Sequence, residues 1–261
     1  MFDYKGTVVA ITGCTSGVGK ELAYAFAELG ANVCLLARRL VMIEDIAKDI
    51  SKKYKVKTLP ISCDVMSEES IKNAVEKIKD KFGHVEVLVN NAGGERGTGT
   101  PNNEYKLDDW NYTLSIGLTS KFMVSKEFVN FMEDAINNSK QQYGRIINIG
   151  SVYGLLGNNQ LPSIAYNTAC GAIINYTRSL ASELATKNIT VNCVCTSFVY
   201  TDLVKETLNS PYFQDLAKRT IPMQRFANVD EIKAPVVFFA SKDASYVTGQ
   251  IISVDGGYTI I

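Results

Sequence analysis

The chain is 261 residues long, with 27 Lys and Arg against 27 Asp and Glu and a hydrophobic fraction of 46%, which suits the core of one large α/β domain. The charges cancel and no block of five or six like charges occurs, so a nucleic-acid footprint and a polybasic membrane patch are both excluded as expectations, and a small-molecule partner fits. With one histidine, His84, in a loop after a helix, a His-based metal site or triad would rest on that residue alone, and its expected neighbour is solvent.

The chain opens MFDYKGTVVAITG, with an acidic residue at position 3 and no apolar run ahead of a small-residue cleavage site, so no signal peptide is expected. No stretch of about 18 apolar residues offers a membrane span. The six cysteines lie in apolar or strand-like contexts without a CxxC pair, which predicts reduced thiols of a cytoplasmic protein and no metal site.

Short apolar runs then alternate with amphipathic stretches: TVVAITG and KELAYAFAELG, ANVCLLA and LVMIEDIAKDISKKY, KTLPISCDV and EESIKNAVEKIKDKFG, followed by VEVLVNNAG, RIINIGS, ITVNCVCT and IISVDGG. Apolar strands separated by helices predict a doubly wound parallel sheet, an α/β Rossmann fold, as a single domain over 1–261. Gly30 and Gly83 mark the ends of the first and third helices, and Ser67 with Ser70, Glu68 and Glu69 starts the third. The segment Gly93 to Asn103, GGERGTGTPNN, is a flexible loop directly after a strand, where such a sheet places its ligand crevice.

Thr12-Gly13-Cys14-Thr15-Ser16-Gly17-Val18-Gly19 joins the first strand to the first helix. Its glycines allow a tight turn and close approach to a pyrophosphate, whose charge meets the free N–H groups of the helix start. With Asn90-Asn91-Ala92-Gly93, Ser151, Tyr166 and Val254-Asp255-Gly256-Gly257 in this order, the chain resembles the short-chain dehydrogenase/reductase family over essentially its whole length. Its tail is similar to those of gluconate 5-dehydrogenase and 3-oxoacyl-carrier-protein reductase members.

The resemblance implies a nicotinamide dinucleotide held by Gly13, Thr15, Ser16, Gly17, Val18 and Gly19, with Asp64 and Val65 at the adenine. It also implies contacts from Asn91, Ala92, Gly93, Tyr166 and Thr201. At the end of the second strand stand Ala37, Arg38 and Arg39 where an acid would favour NAD. NADP(H) is therefore expected over NAD(H), with Arg38 on the 2′-phosphate, the alternative being that the arginines only solvate the helix start.

By the same resemblance, Tyr166 exchanges the proton and Ser151 holds the substrate oxygen while hydride moves between nicotinamide and a carbonyl carbon. Three positions depart from the family pattern. Cys170 stands four residues after Tyr166 in place of the lysine that binds the nicotinamide ribose and lowers the tyrosine's pKa. Gly117 replaces the asparagine that supports a proton-relay water, and Cys195-Thr196-Ser197-Phe198 replaces a proline-glycine pair. Positions i and i+4 share a helix face, so Cys170 points where the ammonium would be without its charge or reach. Bringing a tyrosine from a pKa of about 10 to about 7 takes about 4 kcal/mol. Lys121, one turn after Gly117, reads as a solvated surface lysine, the alternative being a charge lent to the site.

Two functions follow: an NADP(H)-dependent oxidoreductase of a ketone or secondary alcohol, of sugar-acid, polyol or acyl type and impaired by these departures, or an inactive dinucleotide-binding relative acting as sensor or oligomer partner. A third possibility gives Cys170 a redox or nucleophilic role, against an inert buried thiol. The resemblance also implies a homotetramer, built through the long helices after Trp110 and Tyr166. An apolar substrate-covering segment is expected around 199–223, carrying Tyr200, Leu203, Leu208, Tyr212 and Phe213.

Overall fold

Strand order governs the architecture of the computed structural model, which describes residues 2–157, 162–202 and 204–261. Among these, β1 (Val8–Thr12), β2 (Asn32–Ala37), β3 (Thr58–Ser62), β4 (Val87–Asn90), β5 (Gly144–Ser151), β6 (Ile189–Thr196) and β9 (Ile251–Val254) form one sheet in the order β3-β2-β1-β4-β5-β6-β9. Every pairing in it is parallel. Two short strands, β7 (Val199–Tyr200) and β8 (Ala227–Asn228), pair separately.

All five residues of β1 are buried, because helices cover both faces and leave no polar side to the strand. One face packs α1 (Gly17–Glu28), α2 (Leu40–Tyr54) and α9 (Lys233–Ala240) around Ile11, Phe26, Ile43 and Phe239. The other packs α3 (Glu68–Phe82), α5 (Ser120–Asn137) and α6 (Ile164–Leu184) around Leu36, Ile71, Phe128 and Leu184. The strands and first three helices fall where the apolar runs predict them. Gly83 caps α3 in the left-handed region at φ 76°, and the Ser67 side chain accepts the Ser70 N–H at its start. At α1 the cap is Leu29, with Gly30 one residue beyond it at φ 92°.

His84 is only partly exposed and has a protein partner in addition to the expected solvent. Its Nδ1 lies 2.7 Å from Glu86 Oε1, and Glu86 Oε2 accepts the Val8 N–H at 2.8 Å, so the pair fastens the start of β1 to β4. This pair sits at the amino-terminal ends of the strands, remote from any crevice at their carboxyl ends. The apolar residues of the expected covering segment pack mainly on one another: Leu208, Ile221 and Phe226 are buried against Tyr200 and Phe213 through α7 (Lys205–Leu208) and α8 (Pro211–Thr220), while Tyr212 is exposed. Leu203 lies outside the described residues.

A polar knot ties the two halves of the sheet to the helices beneath. Asn90 Nδ2 donates to Asn148 Oδ1 at 3.0 Å and to Ser125 Oγ at 2.9 Å, and Asn148 Nδ2 donates to Thr177 Oγ1 at 2.9 Å. Asn148 is fully buried, so removing its amide takes a hydrogen bond from two buried partners, Asn90 and Thr177. Asn148→Ala is expected to lower unfolding stability in urea by about 1–3 kcal/mol; a change below about 0.5 kcal/mol would mean that the knot contributes little.

Candidate active site

The order of strands reverses at β1, which pairs with β2 on one side and β4 on the other, and this leaves a crevice beyond their carboxyl ends. The turn after β1 must pass close to the loop after β4. A Cβ on Gly13 would lie 2.8 Å from Ala92 Cα, and one on Gly19 would lie 2.4 Å from Asn91 Nδ2 and 2.5 Å from Gly13 O, so neither position admits a side chain without movement. Thr12 Oγ1 accepts the N–H groups of Asn91 and Ala92 at 3.0 Å, and Asn91 Nδ2 donates to the carbonyls of Thr12 and Gly13 at 3.0 Å.

Helix α1 begins here with no side-chain cap from Ser16 and no acid in its first turn, so its leading N–H groups remain available to an anion. A cleft of 370 Å³ brings together Gly13, Thr15, Ser16, Arg38, Arg39, Asp64, Val65, Asn91, Ala92 and Gly93. Val18 turns partly into the core behind it. Thr201 closes the start of α1 from the other side, its methyl 3.1 Å from where a Cβ on Gly17 would stand. Both arginines are exposed; Arg39 Nη2 donates to Thr15 Oγ1 at 2.8 Å, and the Arg38 guanidinium has no partner among the described residues. Asp64 accepts the Met66 N–H at 3.0 Å, so its carboxylate is engaged with its own loop. Glycines that a Cβ would fill, an open helix start and rim arginines suit a phosphorylated dinucleotide. A larger depression of 690 Å³, by Lys5, Gly30 and Lys57, lies at the opposite ends of the strands.

Ser151 ends β5 with its Oγ accepting the Tyr153 N–H at 3.2 Å. Tyr166, in the first turn of α6, neighbours Ser151 and Cys170. Burial first, and then the neighbouring Cys170, lifts the Tyr166 phenol well above its ordinary pKa. Cys170 is itself buried, its thiol pushed up to about 11 by desolvation, so at neutral pH it carries no charge. Gly117 sits in a five-residue π-turn, Ser115–Thr119, that joins α4 (Leu107–Leu114) to α5. A Cβ there would stand 3.0 Å from Ala169 Cβ, so this junction rests directly on α6 beside Cys170.

Lys121 is not a surface lysine. It is 5% exposed, its Nζ donates to Ala92 O at 2.8 Å, and no carboxylate pairs with it among the described residues. Desolvation pulls its pKa down to about 8, opposed by Cys170 and Cys193. The sequence held a signal for this: Lys121, Val124, Ser125, Phe128 and Met132 form the buried stripe of α5, so the lysine occupies a core position of the helical pattern. Glu95 was also overlooked. Burial raises its pKa, its partners are Thr98 and Ser163, and its Oε2 is buried without a hydrogen-bond partner among the described residues. Among those residues no group of three metal-ligating side chains comes together, and no helix is long and apolar enough to cross a membrane.

The buried ammonium has a consequence for stability. A base whose folded pKa is depressed binds its proton more tightly when unfolded, so the protein gains stability as pH rises from about 8 toward the ordinary lysine value of 10.5. Lys121→Met is therefore expected to be more stable than wild type at pH 7, by up to about 3 kcal/mol, with the advantage shrinking toward pH 10. Urea denaturation at both pH values measures it; a difference that does not vary with pH would mean that the ammonium is solvated.

The model for the family described as enoyl-(acyl carrier protein) reductase matches residues 13–259. The 3-oxoacyl-[acyl-carrier-protein] reductase FabG of Aquifex aeolicus is 35% identical over 256 residues, covering 97% of each chain. Among solved structures, the NADPH-dependent 3-quinuclidinone reductase of Rhodotorula rubra superposes with a TM-score of 0.90 at 31% identity, covering 100% of this chain and 94% of its own. The L-sorbose reductase of Gluconobacter frateurii, complexed with NADPH and L-sorbose, gives 0.89 at 27% identity with 98% of each chain covered. With the parallel sheet, the glycine turn and near full-length similarity in agreement, the chain belongs to the short-chain dehydrogenase/reductase family of oxidoreductases.

Proposed function

We propose that the protein is an NADP(H)-dependent oxidoreductase that moves a hydride between the nicotinamide and the carbonyl carbon of a small, hydroxyl-rich ketone, or back from the matching secondary alcohol. The observation that carries this reading is the pairing of Ser151 with Tyr166 as neighbours, together with the glycine-lined cleft. A bound nicotinamide supplies or accepts the hydride. Ser151, whose Oγ already accepts the Tyr153 N–H, has its own proton left to donate to a substrate oxygen. Tyr166, protonated at neutral pH, hands its proton to that oxygen in the reductive direction.

Arg38 is the group for the 2′-phosphate, because Arg39 is held by Thr15 and no acid ends β2. Gly13 through Gly19 take the pyrophosphate, Asp64 and Val65 the adenine side, and Asn91, Ala92, Gly93 and Thr201 the remainder. The two NADPH-linked structural relatives support the same preference.

For the substrate, Glu95 Oε2 and Asn167 Oδ1 are buried acceptors without partners among the described residues, and Ser163 neighbours Glu95. The unfilled Glu95 carboxyl group near Tyr166 favours a substrate with hydroxyl donors, and its charge favours a neutral polyol or ketose over a sugar acid or an acyl chain. The L-sorbose reductase relative supports that choice. The segment 199–223 covers the substrate, its aromatic cluster reaching Tyr153 through Phe198 at 5.9 Å between ring centroids.

The neutral thiol of Cys170 favours a second reading, dinucleotide binding without turnover, as a sensor or an inactive partner. In either case the chain is a cytoplasmic homotetramer in this reading, with exposed Leu107 and Phe122 on the helices expected to meet a second copy.

NADPH oxidation over a panel of ketoses and simple ketones tests the proposal. Turnover is expected, with Tyr166→Phe lowering it by about 10² to 10⁴ and Arg38→Ala weakening NADPH by about tenfold or more while leaving NADH unchanged. Tight NADPH binding with no turnover across the panel selects the second reading, and equal affinity for NADH and NADPH in wild type overturns the cofactor preference.

A further inference from the structure

We propose, resting on the oxidoreductase reading above, that Lys121 supplies from α5 the ammonium that the Tyr-x-x-x-Lys pattern supplies from α6, so that Lys121 and Cys170 together are an exchange of positions within a complete site.

Three observations converge on this. First, the glycine at 117 lets the junction before α5 lie against Ala169, the residue preceding Cys170, with only 3.0 Å for a Cβ between them, and Lys121 follows one turn later. Second, the Lys121 ammonium is buried within electrostatic reach of the Cys170 and Cys193 thiols, and Cys170 neighbours Tyr166; a thiol at 170 takes less room than a second long side chain would. Third, Nζ is tied to the carbonyl of Ala92, a residue that lines the dinucleotide cleft, and this uses one of its three protons. Two N–H groups and a full charge remain for something else.

A buried ammonium without a carboxylate is costly, and such groups persist where a ligand or a reacting partner offsets the cost. The two remaining donors suit the adjacent hydroxyls of a ribose, and the charge favours the phenolate left on Tyr166 after it protonates the substrate oxygen. In that direction the ketone gains a hydride at carbon and the tyrosine proton at oxygen, NADPH becomes NADP⁺, and Tyr166 is reprotonated from solvent. A lysine added at 170 would set two ammonium groups in one desolvated space, where like charges repel. The groups facing Lys121 are Cys170 of α6 and Cys193 of β6, and Tyr166 lies on the far side of Cys170; Glu95, the carboxyl group near Tyr166 and Cys170, is not paired with it.

The test compares wild type, Lys121→Met, Cys170→Lys and the double variant Lys121→Met with Cys170→Lys, each checked for folding by thermal melting. The readouts are NADPH affinity by fluorescence titration and turnover with L-sorbose and the ketone panel as functions of pH. Lys121→Met is expected to bind NADPH about tenfold or more weakly and to lose the pH dependence of affinity between pH 7 and 9. Cys170→Lys alone is expected to fall below wild type, and the double variant to recover most of the affinity and turnover of wild type. A folded Lys121→Met with wild-type affinity and pH dependence overturns the inference, as does a Cys170→Lys variant more active than wild type. Lys121→Gln repeats the comparison if the methionine variant does not fold. If wild type binds NADPH but reduces nothing on the panel, the oxidoreductase reading fails, while the affinity measurements still decide the role of Lys121.

Discussion

The constraint on which the molecule depends is the double pairing of β1, parallel to β2 on one side and to β4 on the other. It brings the carboxyl ends of β1 and β4 together, with the turn after one packed against the loop after the other. The contacts at Gly13 and Gly19 follow from this, since the Ala92 backbone occupies the space a side chain at 13 would need, and the Asn91 amide with the Gly13 carbonyl the space at 19. So does the position of α1, whose uncapped start faces the crevice with its N–H groups free. The loop after β4 serves two neighbours: Asn91 and Ala92 are fixed to Thr12 by hydrogen bonds, and the Ala92 carbonyl fixes Lys121.

The same loop connects the binding half of the site to the catalytic half. Helices α5 and α6 lie on one face of the sheet, anchored beneath it by Asn90 and Asn148 through Ser125 and Thr177. The anchors hold both helices in fixed register to the strand ends, which lets side chains from different helices converge on one point. Cation and proton donor need not share a helix for the chemistry to work. What matters is that the charge stands in a desolvated space within reach of the site, where its effect is far larger than in water.

Most of the fold was legible in the sequence because it is written in local periodicity. Apolar runs of five to seven residues identify the buried strands, and the 3.6-residue pattern of α2 and α3 is unbroken. The glycine turn, Ser151 and Tyr166 were legible as motifs, and the structure brings the two catalytic candidates together as neighbours. Lys121 and Glu95 were not, for a physical reason. Spacing along one helix tells which residues share its face but not which neighbouring helix that face meets, so the gap left by Cys170 was visible while the group filling it was not. The π-turn at Ser115–Thr119 adds to this, since an extra residue in a turn rotates the following face by an amount that sequence periodicity does not register. His84 was misread similarly: its partner Glu86, two residues on, is oriented by the neighbouring strand β1.

The most direct measurement of the relocated ammonium is the NMR titration of Lys121 in protein labelled with ¹³C at the lysine ε position, its signal assigned by loss in Lys121→Met. A desolvated cation poised for a ligand titrates near pH 8 in the free protein, and its titration moves upward when NADPH is added. A Lys121 that titrates near 10.5, unaffected by NADPH, would contradict it.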